Sequence, residues 1–208
     1  MTALYPEGIR MDRTLLFYEE NAENFISKTI AVDFSAVTDR FTSHLSKGSR
    51  ILDYGCGSGR DTKTFLNKGF QVEAIDGSRK LCKYARVFTG INVKCMRFQE
   101  LNEFEKYDGI WACSSILHVP KKDLPDIFTK MIAALKTEGV IYISFKYGNF
   151  EGVRNGRYFS DFTIDTFTSF LTQFSDLHLI DEWVSADVRP DRSEEKWLNI
   201  ILKKIIRC

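Results

Sequence analysis

Apolar positions change rhythm near residue 50. Before it the pattern is helical: Leu15, Leu16, Phe17, Phe25 and Ile26 fall in one stretch, and Phe34, Val37, Phe41 and Leu45 recur at helical spacing. Lys47-Gly48 closes the second of these helices. After residue 50, short apolar runs alternate with amphipathic segments. Arg50–Tyr54 predicts a strand, 60–68 a helix stopped by Gly69, and 70–75 a second strand. Ser78 is placed to cap the next helix, with Leu81, Tyr84, Ala85 and Phe88 on one face. Strands follow at 92–97 and Tyr107–Ala112. Over 122–136, Leu124, Ile127, Phe128, Met131, Ile132 and Leu135 keep one helix face apolar, so this helix must lie on something flat and apolar. Gly139 ends it ahead of a fully buried strand at 140–145. Beyond a polar loop, 146–160, a helix carries Ile164, Phe167, Phe170, Leu171 and Phe174. Two last strands, Leu177–Ala186 and 197–203, flank the turn-rich segment 187–195.

Strands alternating with helices define an α/β protein with a doubly wound, mostly parallel sheet, because parallel strands need crossover helices and both sheet faces must be covered. The last two strands lack an intervening helix and are expected to form an antiparallel hairpin at one edge. At 208 residues, with no internal repeat or linker, the chain reads as a single domain, 1–208. It divides into N-terminal helices (1–48) and a sheet-and-helix core (49–208).

Composition narrows the function classes. Lys and Arg number 29 against 28 Asp and Glu, a net charge of +1, which offers no basic stripe for nucleic acid. No apolar run approaches the roughly 20 residues of a membrane span, and the first residues, MTALYPEG, lack a signal-peptide core. Five scattered cysteines (Cys56, Cys82, Cys95, Cys113, Cys208) without a C-x-x-C, and only three histidines, argue against a zinc or disulfide framework. They fit a reducing, cytoplasmic setting and no metal site.

In doubly wound sheets ligands bind beyond the carboxyl ends of the strands, so the first strand-to-helix loop matters most. It runs Asp53, Tyr54, Gly55, Cys56, Gly57, Ser58, Gly59, Arg60. Alternate glycines let the chain turn tightly and let a ligand touch main-chain atoms. Arg60 stands where the dinucleotide fingerprint G-x-G-x-x-G wants its third glycine, which disfavours a nicotinamide oxidoreductase. Asp53, two residues before the first glycine, suits a cationic ligand better than a pyrophosphate; a structural role for it, holding loop amides, is the alternative. Asp76 ends the second strand 23 positions on, where an acid can accept both hydroxyls of a ribose, or else cap the helix that follows. Gly77 leaves room for a nucleoside.

Asp53-Tyr-Gly-Cys-Gly-Ser-Gly59, Asp76-Gly-Ser and Tyr107-Asp-Gly-Ile-Trp-Ala together resemble the motifs of class I S-adenosylmethionine-dependent methyltransferases, over residues 14 to 203. The resemblance implies a Rossmann-like, seven-stranded methyltransferase fold with the terminal hairpin, S-adenosylmethionine as cofactor, S-adenosylhomocysteine as product, and residues 1–48 as a cap over the cofactor. It implies that Gly55, Cys56, Gly57 and Gly59 line the methionine part, that Asp76 with Gly77 holds the ribose, and that Gln99, Glu100 and Leu101 flank the adenine. Many members carry Asp where Gln99 stands, so Gln99 and Glu100 compete for the adenine contact. Cys113 is expected near the sulfonium or as buried filler. Trp111-Ala-Cys-Ser-Ser-Ile-Leu-His-Val-Pro120, with Ser144-Phe-Lys146, Arg189-Pro-Asp-Arg192 and Trp197-Leu-Asn199, is similar to small bacterial methyltransferases of the tellurite-resistance type.

Methyl transfer needs a base only when the acceptor must lose a proton. His118, after the fourth strand, is the candidate; local packing is its alternative. Tyr18, on the N-terminal helix, is a candidate lid contact to the cofactor. Lys146, Arg157, Tyr158, Arg189, Arg192 and Trp197, in loops at the acceptor end, suggest a small anionic acceptor, unless they form a solvated face. The expected partner is thus a small molecule, with no nucleic acid and no membrane, acting on a monomer or homodimer. Nucleic-acid or protein methylation, and a non-catalytic cofactor-binding module, are the competing readings.

Overall fold

A computed structural model describes residues 13–189, 192 and 194–205. Three helices, α1 (Arg13–Glu20), α2 (Ala22–Thr29) and α3 (Ser35–Thr42), precede a seven-stranded sheet of order β3-β2-β1-β4-β5-β9-β8. Its strands are β1 (Arg50–Tyr54), β2 (Gln71–Asp76), β3 (Val93–Cys95), β4 (Tyr107–Ala112), β5 (Leu135–Lys146), β8 (Leu177–Ala186) and β9 (Lys196–Lys204). β1 to β5 run parallel, while β9 pairs antiparallel with both β5 and β8, giving the expected terminal hairpin. The strand order reverses between β1 and β4, and this crevice is where doubly wound sheets bind ligands.

The period-two alternation of each strand sorts two cores. Leu52, Ile110, Ala112, Ile141, Ile143 and Phe145 face α6 (Leu124–Ala134) and α7 (Ile164–Leu171). Ile51, Trp111, Val140 and Tyr142 face Phe41 of α3 and Phe65 of α4 (Arg60–Asn67), with Trp111 stacked on Tyr142 at 4.0 Å between ring centroids. α5 (Arg79–Thr89) begins at Ser78, whose Oγ accepts from Leu81 N at 3.3 Å, and ends at Gly90 in the left-handed region. No helix among the described residues is long and apolar enough to cross a membrane.

Four expected elements differ. The helix expected over 122–136 ends at Ala134 and β5 begins at Leu135, so Gly139 lies inside the strand and does not end the helix. The polar loop 146–160 contains a hairpin, β6 (Glu151–Arg154) and β7 (Arg157–Ser160), turned by Asn155-Gly156 with both φ angles positive (51° and 79°). Such primed turns match strand twist and favour Asn-Gly. The third strand shortens to Val93–Cys95, because Phe98–Glu100 coils into a 3-10 turn closed by the Glu100 side chain on the Arg97 amide. The first helix breaks at Asn21, whose side-chain amide donates back to the Phe17 carbonyl at 2.8 Å.

Candidate active site

A cavity of about 610 Å³ opens along the carboxyl ends of the parallel strands and is roofed by α1 and α2. Its floor starts in the β1 loop. Gly55 sits at φ +95°, and an added Cβ would lie 2.4 Å from the Ser115 Cβ, so only glycine lets this loop pass the β4 loop. Gly55 and Cys56 amides both donate to the Ile75 carbonyl, tying the loop to β2. Phe25 of α2 lies over Gly57 and Leu15 of α1 over Gly77; a Cβ at either glycine would meet these rings or methyls at 3.0 and 2.5 Å. The roof therefore seats directly on the glycines.

Two carboxylates face this part of the cavity. Asp53 is buried, and its Oδ2 accepts from Thr62 Oγ1 at 2.5 Å. Burial first, then the negative charge of Asp61, push its carboxyl up to about 8. Asp76 is pushed up to about 6 by burial, against the pull of the Ser78 and Gly57 amides that donate to it at 2.8 and 2.9 Å. No ion pair joins either of them to a cation among the described residues. Ser115 Oγ, in the same wall, is buried with no hydrogen-bond partner. Desolvated acids without countercharge and an orphan hydroxyl fit a cationic, hydroxyl-bearing ligand. A carboxylate offers about four acceptor sites, of which Asp76 spends two on amides.

At the centre, the Tyr18 hydroxyl lies 2.8 Å from His118 Nε2, while His118 Nδ1 lies 2.6 Å from the Tyr158 carbonyl. The carbonyl can only accept, so Nδ1 carries the proton and Nε2 accepts from Tyr18. Burial, with help from Arg157 and Arg154, depresses His118 to about 4. Both ring nitrogens are engaged and the ring is neutral. Arg157 Nη1 donates to the Tyr18 hydroxyl at 3.3 Å, its guanidinium lies 4.7 Å from the Phe17 ring centroid, and its Nε is buried without an acceptor.

The remaining cations near the β5 and β9 ends are paired internally. Asp187 accepts from Arg189 Nε and Nη2 (2.8 and 2.6 Å), Trp197 Nε1 (2.9 Å) and Lys146 Nζ (3.2 Å). Burial opposes ionisation of Asp187, but these donors win and hold its carboxyl well below the usual range. Lys146 also contacts Glu195 and lies over Trp197. Arg192 approaches Glu195 at 3.7 Å, and Arg154 is bidentate to Asp161 at 2.8 Å.

Of the residues singled out from sequence, Tyr18, Asp53, Gly55, Cys56, Gly57, Asp76, Gly77, Gln99, Cys113, His118, Lys146, Arg157, Arg189, Arg192 and Trp197 line this one cavity. Four do not. Gly59 (φ +82°) lies against α5, where a Cβ would meet Thr89 at 2.7 Å. Glu100 is spent closing its own turn, and Leu101 is buried in the core, which leaves Gln99 on the wall. The Tyr158 side chain points away, its hydroxyl donating to Glu151 at 3.0 Å, and only its backbone serves the site, through His118. Lys146, Arg189 and Arg192 are corrected in another way: they reach the cavity but already hold carboxylates. Cys113 is pushed up to about 12 by burial and by Asp61, so its thiol stays protonated.

Sequence reasoning missed Asp61. It lines the cavity, takes a bidentate bond from Arg60 (2.7 and 2.9 Å) and accepts from Trp111 Nε1 at 2.9 Å. The adjacent Arg60-Asp61 at a helix start was the available signal. Phe25, Arg154 and Asp187 were also missed: Phe25 meets Gly57 from a distant helix, while the nearby pairs of Arg154 with Asp161 and Asp187 with Arg189 carry no motif that sets them apart from solvated charges.

A mostly parallel sheet with its crevice at the strand-order reversal, a glycine-built floor and two buried acids beside it belong to an α/β domain of the Rossmann-like kind. Residues 51–139 match the family model described as a methyltransferase domain. The chain is 29% identical over 102 residues to the ubiquinone biosynthesis O-methyltransferase of Rhodopseudomonas palustris (strain BisB5), covering 47% of this chain and 40% of that one. It is also 29% identical over 136 residues to a malonyl-acyl-carrier-protein O-methyltransferase of Acetivibrio thermocellus, covering 62% and 47%. The aligned part thus spans less than half of these relatives. The 1,6-didemethyltoxoflavin-N1-methyltransferase of Burkholderia thailandensis, solved with 1,6-didemethyltoxoflavin and S-adenosylhomocysteine, shares the fold at TM-score 0.74 and 19% identity, over 92% of this chain and 85% of that one.

Proposed function

We propose that this chain transfers the methyl group of S-adenosylmethionine to a small acceptor that arrives with its lone pair free and carries negative charge near the reacting atom. The observation that carries this reading is an asymmetry of pairing in one cavity: among the described residues, Asp53 and Asp76 form no ion pair at one end, and Arg157 forms none with a carboxylate at the other. Bound S-adenosylmethionine supplies an already activated methyl group on a sulfonium. Asp53, whose carboxyl is pushed up to about 8, gives its proton to solvent as the positively charged donor arrives and then balances that charge, while Asp76 accepts from the ribose hydroxyls and Gln99 reaches the adenine. Leu15 and Phe25, seated on Gly77 and Gly57, exclude water from above.

His118 holds Tyr18 in place instead of taking a proton, because its Nε2 lone pair is already used and its protonation is disfavoured. Tyr18 and Arg157 then position the acceptor, and positioning is most of what an in-line displacement requires. The residues described up to Thr42 act as the cap of one domain, and the tellurite-resistance-type likeness contributes only fold and cofactor.

Calorimetry with S-adenosylmethionine, S-adenosylhomocysteine and NAD tests the donor assignment. Micromolar binding of the first two is expected; binding of NAD alone overturns it. A panel of carboxylates, thiols, amines, phenols, RNA and protein, read by S-adenosylhomocysteine release, tests the acceptor class. Turnover confined to RNA or protein would move the acceptor assignment, and donor binding with no turnover would leave a binding module.

A further inference from the structure

Beneath the proposed ribose site lie two thiols that the methyl-transfer reading does not use. Cys95 is the last residue of β3 and is exposed; Cys82, on α5, is fully buried. In the β2–β3 register Cys95 stands opposite Asp76. Both sulfurs lie against the Asp76–Gly77 backbone at the end of β2: Cys82 Sγ lies 3.2 Å from the Asp76 carbonyl oxygen and 3.8 Å from that of Lys94, the β3 neighbour of Cys95, and Cys95 Sγ lies 3.8 Å from the Gly77 carbonyl oxygen. One is accessible, the other sheltered behind it, and they sit on two elements, α5 and β3, that meet at the Asp76–Gly77 peptide.

We propose that Cys82 and Cys95 are a hydroperoxide-sensitive dithiol that closes to a disulfide under the Asp76–Gly77 peptide and weakens nucleoside binding above it. Cys95 is the attacking sulfur. The neighbouring Cys82 thiol, ahead of the charge of Arg79, lowers the Cys95 thiol from its ordinary range and so favours the thiolate that attacks. Its sulfur attacks one peroxide oxygen; an S–O bond forms, the O–O bond breaks, and the leaving alkoxide or hydroxide takes a proton as alcohol or water. Cys82 then attacks the Cys95 sulfenic sulfur; the S–S bond forms, the S–O bond breaks, and hydroxide leaves with the Cys82 proton as water. Two thiols lose two electrons and the peroxide gains them.

Closure removes the Cys82 proton, so its sulfur can no longer donate to the Asp76 carbonyl and that contact is lost. The backbone it leaves carries the Asp76 carboxylate and, through the Ser78 and Gly57 amides, the floor of the cavity. Disulfide formation itself is independent of the donor assignment; only its effect on binding rests on that assignment.

The test is stoichiometric hydrogen peroxide on the intact protein, followed by peptide mapping without reduction and by S-adenosylhomocysteine calorimetry. Expected are a loss of about 2 Da located in a Cys82–Cys95 cross-linked peptide, a several-fold loss of affinity, and recovery of both on dithiothreitol. Cys95→Ser, at an exposed position, is expected to keep its affinity under peroxide and to form no cross-link. Cys82→Ser is expected to trap a Cys95 sulfenic acid, a gain of about 16 Da before overoxidation. Two intact thiols, or cross-links to other cysteines, overturn the proposal. A Cys82–Cys95 cross-link with unchanged affinity overturns the coupling to the site. Failure of the reduced protein to bind S-adenosylhomocysteine at all strikes the donor assignment instead, and leaves the cross-link standing or falling on the mass alone.

Discussion

The two ends of the cavity are built by opposite means. At the β1–β3 end the wall is mostly backbone: glycines at positive φ, amides aimed at Asp76, and acids buried without cations. At the β5–β9 end it is mostly side chain, with nearly every charge neutralised by a partner, as in the cluster of Lys146, Arg189 and Trp197 around Asp187. A wall of uncompensated acids is prepared for a cation and strained without one. A wall of compensated pairs is rigid and shaped, and it leaves recognition to the group that pairing has passed over, Arg157. The +1 net charge of the chain hides this division.

If pairing makes the β5–β9 wall structural, breaking it costs stability before it costs donor binding. Asp187→Ala strips the shared acceptor from Lys146, Arg189 and the Trp197 indole. A loss of about 3 kcal/mol is expected in urea unfolding, the scale for uncovering a buried charge, with S-adenosylhomocysteine affinity unchanged in the fraction that folds. A loss of affinity with full stability would erase the distinction between the two walls.

At the opposite end the order reverses. Asp76→Ala is expected to weaken S-adenosylhomocysteine binding by about 1–3 kcal/mol, the scale for unpairing buried polar groups. Unchanged affinity in calorimetry removes Asp76 from the site.

Asp53 makes the same contrast readable through pH. Its carboxyl sits near 8 when folded and near its ordinary 3.8 when unfolded, so between these values the folded state binds the extra proton. Its contribution is fully present at low pH and is lost as pH rises toward 8, with a slope of at most about 1.4 kcal/mol per pH unit. Asp53→Asn should remove that slope, gaining stability over wild type at pH 8 while losing donor affinity. Parallel stability curves for the two proteins from pH 5 to 8 would mean that Asp53 is not held protonated.

How much of this the chain disclosed follows the same line. The β1–β3 end of the cavity was legible because its parts are short-range: a strand, alternate glycines, and an acid near the end of each of the first two strands, Asp53 and Asp76. The sheet order followed from alternation and handedness. The β5–β9 end was not, because Lys146 meets Asp187 and Glu195 across 41 and 49 positions of chain. An Arg with a carboxylate and an Arg without one look alike in sequence. The β6–β7 hairpin is a different case, since Asn155-Gly156 announced it and was passed over inside a polar loop. Gln99 against Glu100 turned on a single 3-10 turn, finer than any pattern of periodicity resolves.

The smallest expected effect lies where the two ends meet. Sequence offered His118 as a base or as a locally packed residue, and on the reading proposed above its two ring contacts, to Tyr18 and to the Tyr158 carbonyl, make it an anchor. Depression to about 4 means that, below its ordinary 6.5, the unfolded state binds the extra proton, so the imidazole costs stability as pH falls through that window and is silent above it. His118→Gln, which can accept from Tyr18 through its carbonyl oxygen and donate to Tyr158 only imperfectly, should therefore lower turnover a few-fold at every pH from 6 to 9. Tyr18→Phe should cost a similar factor, and the double variant little more, because one change misplaces and the other removes the same Tyr18–His118 contact. A turnover profile that loses an ionisation in His118→Gln, or two single losses that multiply in the double variant, would restore the histidine as a proton acceptor and separate it from Tyr18.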